Sequence, residues 1–174
     1  MQSLASPRGF SLIEVMVASA VLAGAVLSAA QLFAAAAAST ADARVVSEGT
    51  VLAWQKLEQL RSLAFTSDDL GMPVTDATTD TAASPERPFG GTGLTPSPAG
   101  TLLRDTAGYV DYLDAHGTPL GGGARPPAAA RYRRRWATEA PDGPDLLVLH
   151  VRVLPVGKEM EAAHIVSLRA RRVP

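Results

Sequence analysis

Between Glu14 and Asp42 the sequence carries no charge at all. The 27 residues from Val15 to Ala41, wound as a helix at 1.5 Å per residue, are long enough to cross the ~30 Å hydrocarbon core of a bilayer with some tilt. Such a segment ties the chain to a membrane. Its single ionisable neighbour is the unusual part: Glu14 stands four residues inside the apolar stretch that opens at Phe10. An isolated carboxylate within a membrane helix costs about 2.5 to 3.5 kcal/mol, so the segment calls for a compensating charge.

The residues around that carboxylate are Arg8-Gly9-Phe10-Ser11-Leu12-Ile13-Glu14-Val15-Met16-Val17-Ala18. An ordinary signal anchor, with Glu14 reaching the headgroups, is one account of them. The stretch also resembles the type IV prepilin signature: a short leader ending in glycine, then phenylalanine, then a glutamate five residues after the cut. The resemblance implies that a prepilin peptidase cleaves between Gly9 and Phe10 on the cytoplasmic face and N-methylates Phe10. It implies further that Glu14 is the subunit-docking residue, meeting the amino terminus of an adjacent subunit. The physical chemistry agrees, because cleavage creates a positive α-amino group on Phe10, and residues four apart share a helix face.

On this reading residues 1–9 are a prepilin leader. They are too short and polar for a secretory signal peptide, whose apolar core precedes its cleavage site. Arg8 and the initial amine favour a cytoplasmic leader, which leaves the C-terminal domain outside the cytoplasm and the chain single-pass in the inner membrane. Residues 10–41 form the transmembrane and assembly helix, rich in small residues (Ala18, Ala20, Ala23, Gly24, Ala34 to Ala38) that let helices approach closely in lipid. No proline interrupts it between Ser11 and Met72, unlike many major pilins, so Gly24 is its weakest point before Gly49.

Residues 42–65 continue the helix into water. Val46, Gly49, Ala53, Leu57, Leu60 and Ala64 recur at helical steps, with Glu48, Gln55, Glu58, Gln59, Arg61 and Ser62 elsewhere. Unbroken from Phe10 to Phe65, the helix would be about 84 Å long. The run from Leu52 to Arg61 also looks like the corresponding part of PilV-type minor pilins and of minor pseudopilins of type II secretion. Residues 66–106, with five prolines and five glycines, are expected to form a long variable surface loop. Residues 107–174 then supply four strands by alternation: Ala107 to Leu113, Ala130 to Thr138, Leu146 to Leu154 and His164 to Arg172. Pro141-Asp142-Gly143-Pro144 turns the chain between the second and third. The expected fold is α+β and pilin-like, a long N-terminal helix packed on an antiparallel meander of about four strands.

Other constellations carry less. Arg131 to Trp136 mixes basic and aromatic residues as nucleic-acid surfaces do, but alternation puts Arg133 and Arg135 on a solvent face, where they read as charges that block aggregation. Asp105, Asp111 and Asp114 lack the spacing of a calcium loop, and His116, His150 and His164 show no metal-ligand spacing. The chain has no cysteine, which excludes a disulfide and a thiolate metal site. Charge is uneven: 11 acidic and 6 basic residues from Asp42 to Ala130, against 9 basic and 5 acidic from Arg131 onward. No nucleophile elbow, phosphate loop or paired carboxylates stand in a context that gives them chemistry, so no enzyme, cofactor or metal is expected.

The resemblance therefore implies a minor pilin or pseudopilin, polymerising into, or priming assembly of, a type IV pilus or related filament. Its implied partners are prepilin peptidase, other major and minor pilins through the N-terminal helix, and an inner-membrane assembly platform. The alternative from the residues alone is an uncleaved, single-pass membrane-anchored module that binds a ligand or DNA.

Overall fold

The computed structural model describes residues 9–141, 143–158 and 160–171. Residues 1–8 of the expected leader, Asp142 of the expected turn and Arg172 of the last expected strand lie outside the described residues. Among the described residues one helix, α1 (Leu12–Ser62), is followed by seven strands: β1 (Phe65–Ser67), β2 (Pro73–Thr75), β3 (Val110–Leu113), β4 (Pro119–Gly122), β5 (Tyr132–Glu139), β6 (Leu146–Pro155) and β7 (Ala163–Ala170). The chain divides into two compact units, residues 1–43 and residues 44–174.

The first unit is the apolar half of α1. The helix starts because Ser11, outside it, offers its carbonyl to the Val15 N–H at 3.2 Å, and nothing from there to the end of the unit breaks the ladder. Three of its hydroxyls close on the helix itself. Ser19 donates to the carbonyl of Val15, Ser28 to that of Gly24 and Thr40 to that of Ala36, at 2.8 to 2.9 Å. A polar side chain that satisfies itself in this way suits a helix surrounded by hydrocarbon. Every residue from Gly9 to Arg44 is exposed.

The second unit is built around a five-stranded antiparallel sheet in the order β4-β3-β5-β6-β7, with β1 and β2 forming a separate hairpin. All four expected strands are present. The fifth, β4, was not legible because Pro119-Leu120-Gly121-Gly122 has no alternation; Gly121, at φ +100°, adopts backbone geometry that only glycine tolerates readily. The sheet is thus not a simple meander, since β5 passes back over β4 to pair with β3, Tyr112 opposite Arg133.

One face of the sheet receives the second half of α1. Leu147, Leu149, Val151 and Val153 of β6 point to it with Tyr132 and Trp136 of β5, and Leu52, Ala53, Leu57, Leu60 and Leu63 of the helix complete the core. Fully burying each leucine contributes about 1.5 to 3 kcal/mol. Gly49 permits the closest approach: a Cβ there would lie 2.5 Å from the Cβ of Ala162. The helix ends where β7 can cap it. Arg169 donates to the carbonyls of Leu60 at 3.0 Å and Leu63 at 2.5 Å, two of the acceptors that a helix end leaves without intrahelical partners. Arg171 then pins the hairpin, donating to the carbonyls of Thr66 and Val74 while stacking over the Phe65 ring.

The opposite face corrects one expectation. Arg133 and Arg135 do not lie in solvent on an edge: β5 is internal to the sheet, and the segment around Leu102 to Asp105 roofs it. Arg135 donates from Nε to Asp105 Oδ1 at 2.8 Å and from Nη1 to the Leu102 carbonyl at 3.2 Å; Arg133 reaches Asp105 Oδ2 at 3.1 Å. Residues 76–106 hold no strand yet are tied by hydrogen bonds. Leu94 N–H donates to the Asp76 carbonyl at 2.7 Å and Ser97 N–H to that of Thr138 at 2.8 Å, with Leu94 and Thr101 fully buried. The opposite charges of the two sequence halves meet in these contacts.

Candidate functional site: the start of the helix

Gly9 has open space around its Cα, and Phe10 is 83% exposed. Both precede the first helical residue, so the Gly9–Phe10 peptide bond stands in non-helical, accessible backbone. Glu14 falls in the first turn of α1, where unpaired N–H groups and the helix dipole favour a negative charge. Phe10, Glu14, Val15, Ala18, Ser19 and Leu22 line one shallow groove along the helix surface. The Phe10 and Glu14 side chains therefore lie along the same groove. Among the described residues the Glu14 side chain has no hydrogen-bond or salt-bridge partner.

The half of α1 that carries these residues is long and apolar enough to cross a membrane, and none of its most apolar 18-residue window is buried in the chain. Burial separates the two kinds of long apolar helix: the core helix of a soluble protein covers itself with its own fold, and this one does not.

The remaining sequence candidates do not converge. Asp111 is buried between Lys56 and Arg134, Asp105 between Arg133 and Arg135, and Asp114 holds a tight turn by accepting from the His116 and Thr118 N–H groups. His150 and His164 lie on neighbouring strands with ring centroids 5.8 Å apart, and Arg152 occupies the nearby Glu161 carboxylate. Among the described residues no group of three or more His, Cys, Asp or Glu comes together as a metal site would need.

Sequence reasoning missed Lys56. It is fully buried, donating from Nζ to Asp111 Oδ2 at 2.8 Å and to the Thr81 carbonyl at 2.6 Å, with the Trp136 ring centroid 4.0 Å away. Burial pushes its amine down to about 8 against the opposing pull of the Asp111 carboxylate. The available signal was its position: Lys56 stands four residues from both Leu52 and Leu60 on the apolar stripe.

The model of the prokaryotic N-terminal methylation motif matches residues 5–29 of the chain. No curated protein and no solved structure matches it. The motif, the uncovered apolar helix and the α+β domain together support a type IV prepilin-like protein. Within that class the motif supports a pilin-like precursor of the kind that prepilin peptidase cleaves, anchored through its N-terminal helix and associating with other pilins.

Proposed function

We propose that the chain is a minor pilin or pseudopilin, a structural subunit that is cut between Gly9 and Phe10, N-methylated on Phe10, and incorporated into a type IV pilus or related filament. The observation that carries this reading is the condition of the first half of α1: an apolar surface that the described residues leave exposed, bearing one carboxylate, Glu14, four residues after Phe10. In lipid such a carboxylate is costly unless paired. Cleavage generates the missing cation, so one reaction both removes the leader and creates the group to which a neighbour's Glu14 docks. Before processing only an amide nitrogen stands there. The domain of residues 44–174 lies outside the cytoplasm, the inner-membrane assembly platform takes up the processed subunit, and the chain acts as a peptidase substrate rather than an enzyme.

The test is intact mass and N-terminal sequence of the protein from membranes with and without prepilin peptidase. The expected mature chain begins at N-methylated Phe10, and only when the peptidase is present. A chain that keeps its leader in both cases would overturn the proposal in favour of an uncleaved, membrane-anchored binding module. Glu14→Ala should be processed normally yet enter filaments about tenfold less or worse; normal incorporation would remove Glu14 from its docking role.

A further inference from the structure

The two edges of the five-stranded sheet are finished differently. At one edge β4 is four residues long, begins at Pro119 and ends on two glycines, and its register with β3 shifts between Tyr112 and Leu113. Short length, proline and an irregular ladder are means by which a sheet keeps other chains from pairing with its edge. At the other edge β7 has eight residues, neither proline nor glycine, and one constant register with β6. Its outer face carries Val166, 53% exposed, and Leu168, 65% exposed. Its one arginine, Arg169, is turned onto the helix end.

One bond fixes which way the β7 backbone points. The Arg171 N–H donates to the Asp145 carbonyl at 2.9 Å, continuing the register in which Ala170 pairs with Leu146. Hydrogen-bonded pairs alternate along an antiparallel ladder, so Ile165, Ser167 and Arg169 bond to β6. His164, Val166, Leu168 and Ala170 therefore direct their N–H and C=O groups away from the sheet, and among the described residues no strand lies beyond them. Such a row accepts an extended chain as a further strand. Beside it, between residues 168–170 and the end of α1, runs a groove of about 730 Å³. Its charged lining is Arg61, Arg169 and Glu58, two positive groups against one negative.

We propose that the outer edge of β7 binds an extended segment of another protein, with apolar and acidic residues in alternation, as an added strand of the sheet. Successive side chains of that strand point to opposite faces. The apolar ones lie beside Val166 and Leu168, and the acidic ones lie over the groove, toward Arg61 and Arg169. A second copy of β7 does not supply this pattern, because Ala163–Ala170 contains no acidic residue. The site uses only residues 44–174, so it stands apart from processing at Gly9 and docking through Glu14.

Fluorescence anisotropy of a labelled peptide, titrated with the full chain in non-ionic detergent micelles, tests this. The peptide has the length of β7, eight residues, and alternates valine with glutamate. Saturable binding is expected, with half-saturation at or below about 1 mM protein. N-methylation of one of the two alternate sets of peptide amides removes the ladder donors and keeps the side chains, and should weaken binding about tenfold or more. Lysine in place of glutamate should weaken it as much. Val166→Pro, which deletes an N–H directed away from β6 and so spares the existing ladder, should do the same; if that variant does not fold, the methylated peptides decide the matter on the unaltered protein. Absence of saturable binding would overturn the proposal. Binding that neither methylated set weakens would overturn it too, as adsorption to an apolar surface. Equal binding of the lysine peptide would reject an acidic occupant, and peptide binding that falls as the protein concentration is raised would give the edge to a second copy of the chain.

Discussion

The two halves of α1 share one uninterrupted helical backbone and differ in what covers them. From Leu12 to Ala43 every side chain is exposed, the composition is apolar and small, and the hydroxyls of Ser19, Ser28 and Thr40 bond back to the helix. From Arg44 to Ser62 the helix has two faces, one of leucines and a buried lysine against the sheet, one of Glu58, Arg61 and Gln55 toward water. Helical periodicity is informative only where the chain supplies its own cover. Where the cover is lipid or a neighbouring subunit, all sides of the helix become alike and the sequence loses its stripe.

The largest expected effect lies at the deepest point of the second half. Asp111→Ala leaves Lys56 and Arg134 as two buried cations without a counter-ion, and removing one partner of a buried pair costs about 3 to 5 kcal/mol. Denaturant unfolding followed by the fluorescence of Trp136, which is fully buried beneath Lys56, should register that loss. A change below about 1 kcal/mol would mean that water reaches the cluster in the native state and that the helix is less covered here than its burial indicates.

A matched pair of truncations sharpens the contrast. Leu57→Ala opens a cavity at a residue with no exposed surface and should cost about 2 to 5 kcal/mol in the same unfolding measurement. Leu22→Ala, at a residue 66% exposed, should change the unfolding of residues 44–174 by less than about 0.5 kcal/mol. Equal costs would erase the distinction between the halves.

How much of this was legible depended on the same distinction. The methylation motif and the apolar segment were readable because the motif is contiguous and a charge in an apolar run stands out. The strands β3, β5, β6 and β7 were readable because period-two alternation survives where one face is buried. What escaped was set by partners distant in sequence. Arg133 and Arg135 alternate as solvent-facing residues do, and only Asp105, about 30 positions earlier, converts them into a partly buried clasp. Lys56 looks like a charge on an amphipathic helix until Asp111 and Thr81 are brought to it. Beyond the β1–β2 hairpin, the segment 76–106 is irregular yet ordered because its hydrogen bonds run to Thr138 and to its own turns rather than along a ladder.

Acidity probes the cover over Lys56 directly. Its amine titrates near 8 in the folded protein and near 10.4 in an unfolded chain. Between those values the unfolded state holds a proton that the folded state has released, so stability should rise with pH across the window, by at most about 3 kcal/mol, and show no dependence from this group below it. Asp111 runs the other way. Burial alone would raise its carboxyl, but the charges of Lys56 and Arg134 prevail and hold it below its ordinary value, so its contribution is lost in strong acid. Lys56→Met should abolish the alkaline rise while leaving the acid limb in place, and an unchanged alkaline limb would assign the rise to another group.

The smallest effect tests the wet face of the same turns. Arg61 Nη1 lies 3.1 Å from Glu58 Oε1 with both side chains substantially exposed, 43% and 61%, a spacing that on a helix surface is worth about 0.2 to 0.5 kcal/mol and is screened by salt. Arg61→Ala should therefore shift unfolding by no more than about 0.5 kcal/mol, and the shift should vanish in 1 M salt. Arg134 grips its carboxylate through two hydrogen bonds, at 2.9 and 2.7 Å, and is buried, so the two arginines differ both in geometry and in the water around them. If Arg61→Ala were as costly as a change at Arg134, neither difference would be setting the energetics, and the contrast between covered and uncovered surfaces of α1 would have to be argued from something other than solvent.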